Sequence, residues 1–276
     1  MPFLKNKKII FFIFILIALC VSSFKFLSEK SIAGFHHPES AYFDGEYIYV
    51  SNIGLSSSDR VKDGFITKLD KYGNILEYKF IDNLQSPKGI VLSNNKLYIS
   101  DSNRIVIKDL ESGKIKYINI KNSKFLNDIT VFRGNIYVTD TVLDTVFKVD
   151  KNANVSTFLY QKGLSPNGII YSKSLKAFLV VSFNKPAINI VSKSGTIEKT
   201  LNIKNQSGFD GISIYKNRIY LSDYRKGEIL SLNLNLQDIK VVKECKTPIA
   251  DIYVGRNLIL LPLLEKNQVI IGHIKE

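Results

Sequence analysis

One phrase is written six times along this chain, at a spacing near forty residues. Each copy opens on a turn, often with Pro, then gives a polar residue and a short apolar strand. A tight turn follows, and a second strand ends on Ser-Asp or a close variant. Pro38-Glu39-Ser40 leads to Tyr47-Ile48-Tyr49-Val50-Ser51-Asn52, and Pro87-Lys88-Gly89 leads to Leu97-Tyr98-Ile99-Ser100-Asp101. The later copies open on Leu126-Asn127-Asp128, Pro166-Asn167-Gly168, Phe209-Asp210-Gly211 and Pro248-Ile249-Ala250. The units are rich in Ile, Val, Tyr and Phe with period-two alternation, and they are broken by turn dipeptides such as Asn94-Asn95 and Arg133-Gly134. Four short strands per unit at this period specify an all-β fold, a six-bladed β-propeller. The sixth unit shows three clear strands, and an open outer edge is a liability. Residues near Phe26–Ala33 are therefore expected to supply its fourth strand and close the ring.

The pattern predicts two regions. Residues 1–23 read as a signal peptide or signal anchor: Lys5, Lys7 and Lys8 precede an apolar run from Ile9 to Val21, and Val21-Ser22-Ser23 offers small residues for cleavage. Such a run is short for a membrane span. Residues 24–276 form the propeller. The expected location is extracytoplasmic, periplasmic or held to the membrane through the N-terminal segment. Beyond the leader only Cys245 remains, so no disulfide forms within the domain. The net charge of +13 is spread through every repeat rather than clustered. With export, that favours a solvated lysine-rich surface over nucleic acid as a partner. A monomer is expected. Ser112-Gly113-Lys114-Ile115 lacks the residues of a phosphate loop, and no Gly-x-Ser-x-Gly elbow is present.

The first strand of each propeller blade lines the central channel, so equivalent positions at its start converge on the axis. The residue after Pro, or after its stand-in, reads Glu39, Lys88, Asn127, Asn167, Asp210 and Ile249. Glu39, Asn127, Asn167 and Asp210 offer two carboxylates and two amide oxygens, the donor types that hard cations take. No His or Cys joins them, which argues against a transition-metal site. The same residues also suit turns and channel waters, and Lys88 is placed to replace a cation by pairing with Glu39 or Asp210. His36 and His37 stand at the entrance to the first blade. The insertion from Ile53 to Asp63 reads as a lid or a solvated loop.

Glu39-Ser40, Asn127-Asp128, Pro166-Asn167-Gly168 and Asp210-Gly211 resemble the four metal-site motifs of the senescence marker protein/gluconolactonase (regucalcin-like) family, in its order and in blades one, three, four and five. The resemblance is to an exported branch and covers roughly residues 30–276. It implies one divalent cation, calcium before magnesium, manganese or zinc, held by Glu39, Asn167 and Asp210, with Asn127 as ligand or substrate contact. It implies Asp210 as general base, Asn127, Lys88, Asp128 and His37 around a small-molecule substrate, and hydrolysis of lactones or related esters. The family's sugar-lactone enzymes carry Arg two residues before the Asn of Asn-Asp; here Phe125 stands there. That departure and Lys88 keep a second reading open, a non-catalytic exported propeller that binds a small ligand or a partner protein.

Overall fold

The computed structural model describes residues 25–55 and 61–275. The leader expected over residues 1–23, and residues 56–60 of the blade-one insertion, lie outside that range. The described residues form six antiparallel four-stranded sheets, the blades of a six-bladed β-propeller. Among them the helical content is one 3-10 turn, Leu264–Lys266. No helix there is long and apolar enough to cross a membrane.

Within a blade the strands follow chain order from the channel outward. In blade two they are Pro87–Ser93, Lys96–Asp101, Arg104–Asp109 and Ile115–Asn119. Blade six is the exception that closes the ring. Its three inner strands, Tyr253–Gly255, Leu258–Leu263 and Gln268–Lys275, come from the C-terminal end, and Lys25–Ala33 adds the outer one. Antiparallel pairing runs from Ala33 opposite Gln268 to Lys25 opposite Lys275. The strand expected to complete the sixth unit is thus found where the repeat pattern places it.

The core lies between blades. Among the described residues it divides into apolar clusters that each straddle a blade junction, such as Leu179, Phe209 and Leu221 between blades four and five. This explains why second strands such as Ala177–Ser182 are buried along their whole length. Both faces meet a neighbour, whereas the outer strands face water on one side. The junction of blades three and four is aromatic: Phe178 is fully buried, with the rings of Tyr137, Tyr171 and Phe158 centred 4.4, 5.0 and 5.1 Å away.

Candidate functional site: a two-layered ring in the channel

The recurrent Ser-Asp phrase is a structural device. Its Asp ties down the segment that enters the inner strand. Asp101 Oδ1 accepts bonds from the N–H groups of Gln85 and Ser86 at 2.8 and 2.7 Å, and Asp140 Oδ2 accepts from Lys124 N and Phe125 N at 2.6 and 3.2 Å. Asn52 Oδ1 does the same for His36 N at 2.9 Å. The preceding Ser or Thr serves a β-bulge. In each of the first five blades the register shifts early in the inner strand, as between Pro38 and Ala41 and between Leu126 and Ile129. A bulge leaves one residue outside the ladder, and its buried N–H needs another acceptor. Ser51 Oγ, Thr139 Oγ1 and Ser222 Oγ take the N–H groups of Ser40, Asp128 and Gly211 at 2.9, 3.0 and 2.8 Å.

The bulge brings two consecutive residues of each of these five strands to the channel, and Ala250 and Asp251 hold the matching places before the inner strand of blade six, so the channel carries two layers. The first holds Glu39, Lys88, Asn127, Asn167 and Asp210, all 3 to 7% exposed. The repeat pattern puts Ile249 at the sixth position, and the structure corrects this by one residue. The pairing of Tyr253 with Leu260 is equivalent to that of Thr130 with Tyr137, which places Ala250 there. The cause is length: the stretch from Pro248 to Ile252 is one residue longer than that from Phe209 to Ile212.

The second layer reads Ser40, Gly89, Asp128, Gly168, Gly211 and Asp251. Its glycines make room for its acids. A Cβ on Gly89 would meet Asp128 Oδ1 at 2.7 Å, and one on Gly211 would run into the Asp251 carboxylate. Asp128 accepts from Ile129 N and Ile169 N, each at 2.7 Å. Asp251 accepts from Ile252 N at 2.7 Å and from Ser40 Oγ at 2.5 Å, while its own N–H donates to Glu39 O at 3.1 Å. Sequence reasoning does not select Asp251. The signal is there, an acid just before the apolar run of a channel strand, as at Asp128.

Four carboxyl groups thus share a buried channel, and their ionisation is opposed. Burial, then repulsion from Asp210 and Asp251, holds Glu39 well above the usual carboxylate range, and Lys88 offsets part of this. Burial and repulsion from Asp251 push Asp210 up to about 7, against a hydrogen bond from Asn167 and the charges of Arg225 and Lys88. Burial raises Asp251 to about 6, and burial with repulsion from Asp251 raises Asp128.

Three observations fit the first layer to a hard cation. Glu39 Oε2 is buried and has no hydrogen-bond partner among the described residues. Asp210 and Asn167 are already in contact. The donors are all oxygens, two from carboxylates and two from amides. Among the described residues no three of His, Cys, Asp and Glu group together as metal ligands, so a cation here depends on the Asn oxygens. Lys88 Nζ donates to Ser86 O and Ser86 Oγ at 3.3 and 3.0 Å, lies 4.3 Å from the centre of the Phe125 ring, and its charge acts on both Glu39 and Asp210. Phe209 is fully buried in the junction of blades four and five. His37 stands at the entrance, with Nδ1 2.7 Å from Gly54 O and its N–H bonded to Asn267 Oδ1 at 2.8 Å. Asn127 Nδ2 approaches Thr141 Oγ1 at 3.4 Å.

No family model and no curated protein matches this chain in sequence. Solved structures match it in fold. A catalytically inactive histidine-to-alanine variant of virginiamycin B lyase from Staphylococcus aureus, determined with quinupristin, aligns with a TM-score of 0.63 at 16% identity over 89% of this chain and 99% of the lyase. A protein described as a candidate gluconolactonase aligns with a TM-score of 0.68 at 12% identity over 93% of both chains. A chain of a nidogen/laminin complex aligns with a TM-score of 0.67 at 17% identity, over 76% of this chain and 86% of that one. At such identities the likeness establishes the propeller and leaves its chemistry to the site.

Proposed function

We propose that this chain is a divalent-cation-dependent hydrolase of lactones or related esters, acting in the cell envelope and allied to the gluconolactonase-like propellers. The observation that carries the reading is the first channel layer. Four oxygen-bearing side chains from blades one, three, four and five occupy equivalent buried positions there, Asp210 contacts Asn167 and repels Glu39, and Glu39 Oε2 is left buried without a partner among the described residues. Glu39, Asn167 and Asp210 hold the cation, calcium before magnesium, manganese or zinc, and Asn127 completes the set or holds the substrate. When bound, the cation supplies Lewis-acid polarisation of the ester carbonyl. Asp210 takes the proton of the attacking water, and its hydrogen bond with Asn167 orients the carboxylate. Lys88 offers an ammonium from the adjacent blade to the carbonyl or carboxylate end of the substrate. Phe125 presents an exposed apolar ring beside it, which favours a less polar acyl group than a sugar. Asp128 and His37 shape the channel waist and the entrance.

A second reading has its own support. The layer is at most 7% exposed, which suits a channel that binds a small ligand or only stabilises the fold. Turnover separates the two. The full-length chain with calcium is tested on a panel of lactones and aryl esters beside Asp210→Asn. Hydrolysis that disappears in the variant, with its melting curve still cooperative, supports catalysis. Equal hydrolysis by both proteins would remove Asp210 as the base, and no hydrolysis by the wild type would leave the binding reading.

A further inference from the structure

The channel has a second end, to which nothing in the repeat pattern points. Below the second layer it opens into a pocket of about 360 Å3 on the opposite face of the propeller. That lies at the small end of the range for ligand pockets, about 300–1,000 Å3. Its walls come from the later halves of all six inner strands and are mostly aliphatic: Ile90, Ile169, Ile212 and Val254. Its inner end is formed by Asp128 and Asp251, both half-buried. Its rim carries Tyr42, Tyr215, Tyr253 and Arg256. The rings of Tyr42 and Tyr253 meet edge to face with centroids 5.2 Å apart, and the Arg256 guanidinium packs against Gly45.

We propose that this pocket is a ligand site, separate from the polar ring, for a small primary amine with an apolar body. Charge and cavity are arranged together to suit one. Among the described residues, the hydrogen-bond donors that meet the two carboxylates are neutral: the amides of Ile129, Ile169 and Ile252, and the hydroxyl of Ser40. Each carboxylate oxygen accepts one of these bonds and retains capacity for another. An ammonium supplies three donors and a full positive charge to that end. Between that end and the rim the wall is mostly aliphatic, with the hydroxyls of Thr130 and Ser213 as its polar members, and the cavity is much larger than a bare cation. Among the described residues no third His, Cys, Asp or Glu joins these two to make a metal set. The pocket is also polarised, with carboxylates deep and a guanidinium at the rim. That polarity turns an amine so that its ammonium enters first and a hydroxyl or other electron-rich end remains at Arg256 and the tyrosines.

Isothermal titration of the full-length chain in the presence of a chelator tests this, with tyramine as the probe. The comparison compound is 4-propylphenol, which has a methyl group where tyramine has its ammonium. Asp251→Asn and Asp128→Asn remove the inner charges one at a time, so one variant suffices if the other fails to fold. Asp210→Ala removes a carboxylate of the ring and leaves both pocket carboxylates in place, with one repulsion on Asp128 lifted. The expected result is saturable one-site binding of tyramine, weakened about tenfold or more in either pocket variant and for 4-propylphenol, and not weakened in Asp210→Ala. No saturation by tyramine up to about 10 mM overturns the site. Equal binding of 4-propylphenol overturns the role of the ammonium. Loss of binding in Asp210→Ala places the amine at the other end of the channel and likewise refutes the proposal. A loss of hydrolysis with amine binding preserved concerns the ring alone, so the two readings fail separately.

Discussion

Replacing Asp210 by Asn should stabilise the cation-free protein, although it removes the residue assigned the central chemical role. Asp210 is 7% exposed, and its carboxyl is pushed up to about 7, first by burial and then by repulsion from Asp251. An unfolded chain returns it to the ordinary value of about 3.9. The folded state therefore binds this proton more tightly than the unfolded state, and stability falls as pH rises through that interval. Above the folded value the cost is fully expressed. Three pH units at about 1.4 kcal/mol each give roughly 4 kcal/mol as an upper figure. Asn does not ionise, so it escapes this cost, and it relieves the repulsion on Glu39. Against that stands a weakened contact with Asn167, worth about 1 kcal/mol. The net gain expected near pH 8 is roughly 2–3 kcal/mol, falling to about zero or slightly below near pH 4, where Asp210 is protonated in the folded protein and the weakened contact is no longer offset. Urea unfolding with a chelator present measures both, provided the slope with denaturant is unchanged. A variant no more stable than wild type near pH 8, or one with the same gain at both pH values, would refute the electrostatic reasoning.

Other perturbations have equally definite outcomes. Lys88→Met removes a positive charge that acts on both Glu39 and Asp210; calcium affinity should rise by roughly tenfold while ester turnover falls, as read by titration and by rate. A chain beginning at residue 34 loses Lys25–Ala33, the strand that pairs with Gln268–Lys275 in blade six, and should melt well below one beginning at residue 25. Phe178→Ala empties the centre of the aromatic junction between blades three and four and should cost about 3–5 kcal/mol in denaturant unfolding.

Much of the architecture was legible because the repeat acts at every level at once. The turn before Pro87, the alternation in Lys96–Asp101 and the Ser-Asp at its end all describe one blade, and the closing role of Phe26–Ala33 followed from the missing strand of the sixth unit. The first layer was legible because Glu39, Asn127, Asn167 and Asp210 are polar where the residues that follow are apolar. The second layer was harder to read. Its placement follows from the bulges, and a bulge is set by where the ladder slips, not by residue type. Gly89, Gly168 and Gly211 look like ordinary turn glycines in sequence; in space Gly89 and Gly211 clear the waist for Asp128 and Asp251. The additional residue in blade six hid the equivalence of Asp251 and Asp128. The pocket at the far end was not legible, because its walls are the same isoleucines that any inner strand would carry.

Central to the proposed chemistry is whether the first channel layer takes a hard cation. The direct measurement is a calcium titration of the chelator-treated full-length chain, followed by thermal melting, with Asp210→Ala alongside. A saturable rise in melting temperature for the wild type, absent in the variant, is the predicted result. A wild type whose melting temperature does not move with calcium, magnesium, manganese or zinc would contradict it.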